Sequence, residues 1–116
     1  MRLLEFQVNR QSLRKLPGCD FSNIVAGSSG YLRAKFHFSE DWDEYVKKAV
    51  EFVSEHGDNK VVLLDENNEC NIPLETGGFF MVTVYGAGKL DDDQLPVVST
   101  NSMKVKQKVG INNVEH

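Results

Sequence analysis

The residues of this chain whose types could do chemistry are three histidines, two cysteines, two acidic clusters and a few aromatics. His37, His56 and His116 are scattered, and none stands at metal-ligand spacing from Cys19 or Cys70. His37 falls on the polar side of an alternating segment, His56 in a turn and His116 at the end of the chain. Catalysis needs a nucleophile or acid/base pair, an orienting group and a site for developing charge, and no residue set here is spaced to supply all three. The expectation is a protein that is not an enzyme, with no catalytic, cofactor-binding or metal residues. Cys19 follows a Pro-Gly break and Cys70 opens a strand-like segment. Two cysteines do not make a disulfide framework, so both are expected to be free thiols.

The acidic clusters are weighed against cation binding. Asp65-Glu66-Asn67-Asn68-Glu69 places oxygens at alternate positions but lacks the central glycine and distant bidentate glutamate of an EF-hand loop. It reads as a solvated hairpin turn. Asp91-Asp92-Asp93 reads as a solvated loop. Gly27-Ser28-Ser29-Gly30 lacks the Lys-Ser/Thr ending of a phosphate loop, and a strand pattern follows it. Gly86-Ala87-Gly88 ends a strand pattern with no helix after it. Both glycine groups read as turns. Trp42 is expected to plug the core on size alone. The other reading is an exposed Trp42–Tyr45 pair, with Tyr31, stacking on a sugar ring as a host glycan-binding platform.

Composition narrows the classes further. The chain has 116 residues, the size of one domain. Thirteen basic against 17 acidic residues leave a net charge of −4, which argues against a nucleic-acid partner. No apolar run approaches a membrane span, and the start, MRLLEFQVNRQ, does not read as a signal peptide. No linker or repeat divides the chain. One domain is expected over 1–109, with 110–116 as a polar, flexible tail.

These residues must be positioned by β elements. Arg2–Asn9 alternates Leu4, Phe6 and Val8 with Glu5 and Gln7, the period of a half-buried strand. Residues 11–16 read as a short return strand or helical turn, and 18–30 as a loop. Tyr31–Phe38 alternates clearly, with Leu32, Ala34, Phe36 and Phe38 on one face and Arg33, Lys35 and His37 on the other. Ser39 then suggests a helix N-cap before acidic residues. Trp42, Tyr45, Val46, Ala49, Val50 and Val53 form a helical stripe, so periodicity alone predicts a helix over 41–56. Lys60–Leu64, Cys70–Leu74, Phe79–Tyr85, Val97-Val98 and Met103–Val109 read as strands. Phe79–Tyr85 is apolar on both faces and so central, while lysines at 104, 106 and 108 guard a terminal strand against edge pairing. Six to eight short strands point to a mainly β sandwich or barrel.

Several segments together form a further pattern: Phe36-His37-Phe38-Ser39-Glu40-Asp41-Trp42-Asp43, Ala49-Val50, Phe52, Val62-Leu63-Leu64-Asp65, Cys70-Asn71-Ile72-Pro73, Phe80-Met81-Val82-Thr83-Val84-Tyr85-Gly86, and Ser99-Thr100-Asn101 before Val105. This pattern resembles small β-rich proteins from the structural gene modules of tailed phages and prophages of Gram-positive bacteria. It spans about residues 2–108, and its motifs are packing and turn residues. The chain departs from it around His56 and at Asp91–Asp93. The resemblance implies an immunoglobulin-like antiparallel β-sandwich of about seven strands, with one short helix or helical turn after the Phe36–Phe38 strand. It implies a strand over 47–54 in place of the helix, and no catalytic residue. The implied role is a virion-associated structural or adaptor module, assembled in the bacterial cytoplasm. Its partners would be other virion proteins or copies of itself. The contacting edge would be the Lys104–Lys108 strand or the N-terminal strand.

Overall fold

A computed structural model describes residues 2–25, 32–73, 77–88 and 97–108. Tyr31, Asp91–Asp93 and the tail lie outside the described residues. The protein is mainly β, with nine strands among the described residues in two sheets. β1 (Arg2–Asn9), β2 (Ser12–Lys15), β3 (Leu32–Phe38) and β6 (Glu69–Asn71) form a four-stranded sheet in the order β2-β1-β3-β6. β4 (Lys47–Ser54), β5 (Asn59–Leu63), β7 (Phe79–Ala87), β8 (Val97–Ser99) and β9 (Met103–Lys106) form the second sheet. Its order is β5-β4-β7, with β8 and β9 both pairing β7.

The alternating residues of both sheets enter one core. Leu4, Phe6, Val8, Ala34 and Phe36 of the first sheet are buried with Val50, Phe52, Phe80, Val82, Val84 and Val105 of the second. Two sheets sharing one core are compatible with a β-sandwich. Two details differ from the expected antiparallel arrangement of about seven strands. β1 and β3 pair in parallel, with Phe6 opposite Phe36. The chain leaves β1 into the β2 hairpin and then crosses back, so β3 enters in the direction of β1. The count is nine because the short segments β2, β6, β8 and β9, of three or four residues each, all form strands.

The helical stripe at 41–56 is resolved into two pieces. Glu40–Glu44 form one 3₁₀ turn, and Lys47–Ser54 are a strand pairing β5 and β7. Val50 and Phe52 point into the core while Ala49 and Val53 lie on the opposite face. Apolar residues on both faces blur a period of two and can imitate a helical stripe. Ser39 stands at the N-cap position without capping through its side chain. Its hydroxyl instead donates to Asp41 and accepts the Arg10 N–H at 3.0 Å.

The segment after β8 ties the sheets together. The Asn101 carboxamide accepts the Leu13 N–H at 2.7 Å and donates to the Leu13 carbonyl at 3.2 Å, while its own N–H reaches Gln11 O at 3.2 Å. Asn101 thus acts as a one-residue extension of the β2 edge. Asn101→Ala removes both side-chain bonds to a part-buried backbone and is expected to cost about 1–2 kcal/mol in denaturant unfolding. A loss below about 0.5 kcal/mol would show that water replaces the amide freely.

Candidate functional site

Trp42 lies in the core, as its size suggested, and not on a surface aromatic platform. It is 1% exposed and lies within a continuous row of rings. Phe21 meets Phe6 edge-on at 5.2 Å, Phe6 stacks on Phe36 at 4.9 Å, and Phe38 contacts Trp42 at 5.0 Å. The indole N–H donates to the Arg10 carbonyl at 2.6 Å, so the polar tip is satisfied inside the protein. Tyr45 packs on Trp42 at 5.3 Å and is half-buried. A ring with both faces packed cannot stack on a sugar, and Trp42 is a core residue. Tyr31 lies outside the described residues.

The titratable groups are spread over separate surfaces. His37 Nε2 is 2.8 Å from Glu5 Oε1 on the outer face of the four-stranded sheet. Their side chains are 41% and 32% exposed, so this is a solvated pair on an open strand surface. His56 lies in the β4–β5 turn and His116 outside the described residues. Asp65 organises the turn between β5 and β6: its Oδ1 accepts the N–H groups of Asn67 and Glu69 at 2.8 and 3.0 Å. The backbone bond from Glu69 is the main cause holding its carboxyl below the usual range, with Asn67 and the Arg33 guanidinium adding to it. Asn68 takes φ 61°, the left-handed conformation this turn requires. Among the described residues, no cluster of three or more His, Cys, Asp or Glu could hold a metal ion, and no helix is long and apolar enough to cross a membrane.

Cys19 and Cys70 are free thiols in different surroundings. Burial pushes the Cys70 thiol up to about 12. Cys19 is half-buried and its sulfur accepts the Glu5 N–H at 3.3 Å. A thiol reagent at pH 8 is therefore expected to modify Cys19 first and Cys70 only on unfolding, because the thiolate is the nucleophile. The same shift sets a pH effect. The fold favours the neutral Cys70 thiol, so its contribution is full below the ordinary value of 9.0 and is lost as pH climbs through about 12. Cys70→Ala is expected to flatten that alkaline loss of stability; an identical loss in the variant would refute the assignment.

The surface that stands out is one of the two outer sheet faces. The outer face of the four-stranded sheet is a polar ladder. Arg33 pairs with Asp65 at 3.1 Å and Glu69 at 3.4 Å and donates to Asn71 at 2.8 Å. Lys35 is 3.7 Å from Glu69, and Arg14 donates to Gln7 at 3.3 Å. The outer face of the five-stranded sheet is different. The register places Leu63, Ala49 and Tyr85 in one row, Val53 beside Met81, and Val97 beside Ala87. Val61, Leu63 and Val97 are 63%, 68% and 70% exposed. Glu51 crosses this face but is engaged by the Tyr85 hydroxyl at 3.2 Å and the Asn59 amide at 3.0 Å. Lys104 lies over the Phe79 ring at 4.4 Å, covering one side of the patch with a charge.

The edges are also resolved. The N-terminal strand β1 is interior, lying between β2 and β3, and cannot serve as a docking edge. β9 does lie at an edge, but Lys104 and Lys106 are exposed along it, and beyond it Lys108 bridges Val25. The sequence reading missed β5 as an edge. The available signal was Val61-Val62-Leu63, an aliphatic run that puts apolar side chains on both faces of one short strand.

Comparison with protein-family models, with curated proteins and with solved structures gave no match.

Proposed function

We propose that this chain is a non-enzymatic structural or adaptor module of a tailed-phage or prophage virion. It is assembled in the bacterial cytoplasm and acts through protein–protein contacts or self-association on an immunoglobulin-like framework. The observation that carries this reading is the contrast between the two outer faces. One is closed off by a network of ion pairs, and the other presents Val61, Leu63 and Val97 to solvent. Contiguous exposed apolar surface marks contact sites, whereas single exposed residues do not. The phage character rests on the resemblance carried by the Ser39-Glu40-Asp41-Trp42 turn, the Cys70–Pro73 segment and the Thr100-Asn101 turn. The immunoglobulin-like framework is favoured by the order β5-β4-β7-β8/β9, which follows the C′-C-F-G order of a variable-type sheet. The parallel β1–β3 pair is its departure from that pattern.

The test is particle composition. Gradient-purified phage particles from the source strain are expected to contain the chain in amounts comparable with other structural proteins by quantitative mass spectrometry. Particles free of it would overturn the virion assignment.

A further inference from the structure

We propose that a second copy of this chain adds to the open edge of β5. The pairing is antiparallel, about a two-fold axis at Val61, and joins two five-stranded sheets into one. The inference rests on the reading of the chain as a contact-making module and names that module's partner as itself.

The backbone sets the geometry. Leu64 N–H donates to Lys48 O at 2.9 Å, and Asp58 O accepts the Ser54 N–H at 2.8 Å. In an antiparallel ladder the residues that exchange bonds with one neighbour alternate with those that face away. Lys60 and Val62 therefore turn their backbone groups toward β4, and Asn59, Val61 and Leu63 turn theirs outward. β5 is exposed along its length except at Val62, and among the described residues no strand pairs its outward edge. Unpaired groups on a strand rich in Val and Leu form a template for another strand.

Among the described residues the other edges are guarded or short, β8 being three residues long without a charge. β2 carries Arg14 and Lys15, β9 carries Lys104 and Lys106, and β6 is three residues long with Glu69 at its start. β5 carries one charge, Lys60, whose side chain lies on the opposite face from Val61 and Leu63.

β5 is also complementary to itself. Three outward residues centred on Val61 close a two-fold pairing with up to about six backbone hydrogen bonds. In that register Val61 meets Val61 of the second copy, Asn59 meets Leu63, and Lys60 meets Val62. No like charges face one another, and the aliphatic pairs are of the kind that stabilise cross-strand contacts. Beyond the strand end, Asp65 is held by Arg33 at 3.1 Å, which offsets its charge near the seam. The joined sheet brings Val61 and Leu63 of both copies together at the axis, an isologous contact that closes at two copies.

The test uses the whole chain. Light scattering coupled to size exclusion, from micromolar to millimolar, is expected to show a concentration-dependent mass rising from the 13.1 kDa of one chain to twice that value. The amides of Val61 and Leu63 are expected to exchange slowly in the dimer and fast on dilution. Val61→Pro deletes an outward N–H that β4 does not use, and Leu63→Lys places a charge at the seam. Each is expected to raise the dimer dissociation constant about tenfold or more with an unchanged far-ultraviolet circular dichroism spectrum. A chain monomeric throughout, with fast exchange at Val61 and Leu63, overturns the pairing while leaving particle composition to decide the virion assignment. A dimer with fast exchange at those amides, indifferent to Leu63→Lys, overturns the β5 seam and places self-association on another surface. Slow exchange without a mass increase likewise overturns it.

Discussion

Trp42→Ala is expected to lower the unfolding free energy by about 3–5 kcal/mol, the range for removing a fully buried large aromatic. The ring is 1% exposed, touches Phe38 and Tyr45, and its N–H is bonded to Arg10 O at 2.6 Å. The loss combines transfer of the indole to water, a cavity between the sheets, and a broken tie between the 3₁₀ turn and the β1–β2 turn. Arg10 holds φ 58° in that turn, a left-handed conformation that a non-glycine residue keeps only when its surroundings fix it. Trp42→Phe keeps a ring but loses the N–H and part of the volume, and is expected to cost less than alanine. The transitions must be followed by circular dichroism, because Trp42 is the one tryptophan of the chain. In the unmodified protein the same residue reports directly: its fluorescence is expected to resist acrylamide quenching until unfolding. Efficient quenching of the native state would contradict the burial and return Trp42 to the surface.

Gly86→Ala has the second largest expected effect, and it acts through the same ring. A Cβ at Gly86 would stand 2.6 Å from Trp42 Cζ3 and 3.2 Å from Tyr45 Cγ. The indole cannot swing aside cheaply: it is anchored to Arg10 and wedged against Phe38. Overpacking of this kind costs about 1–3 kcal/mol, and the upper end is expected here. The cost has a specific signature. In a Trp42→Phe background the smaller ring leaves room for the methyl group, so Gly86→Ala is expected to be milder there. A double-mutant cycle in which the two changes add within about 0.5 kcal/mol would rule out the steric account. The residue therefore is not a turn glycine. It lies inside β7, paired with Lys48 and Val98, and its missing side chain is the space the indole occupies.

These two residues show how much was legible in advance. The size and apolar surface of Trp42 pointed to the core, yet a Trp-Asp-Glu-Tyr surface turn is an equally good reading of the same letters. Only the meeting of β7 with the 3₁₀ turn decides between them. Gly86 looked like punctuation because it follows Phe79–Tyr85 in a Gly-Ala-Gly run. Its role depends on Trp42, which is distant in sequence and adjacent in space. Similarly, Asn101 read as a turn residue, and its two bonds to Leu13 exist only because the second sheet's last turn lies against the edge of the first.

The candidate surface followed the same rule. Alternation in β1 and β3 separates Leu4, Phe6, Ala34 and Phe36 from Glu5, Gln7, Arg33 and Lys35, so the inner and outer faces of the first sheet could be read directly. In β4, β5 and β7 apolar residues stand on both faces, and the pattern does not say which one meets the other sheet. Register decides it: Val50, Phe52, Val82 and Val84 go inward, which leaves Val61, Leu63, Met81 and Tyr85 outside.

The amino-acid sequence by itself determined that this is a mainly β chain of one-domain size. It also determined that acids outnumber bases and that the strand of residues 32–38 has one wet and one dry face, because composition and a period of two are local properties. The tertiary structure alone decided which strands are edges, that Trp42 is enclosed, that β1 and β3 run parallel, and that one outer face is ion-paired while the other exposes Val61, Leu63 and Val97. Each of these depends on which distant segments lie side by side. Backbone hydrogen bonding and steric exclusion set that arrangement only when the two sheets close on one core.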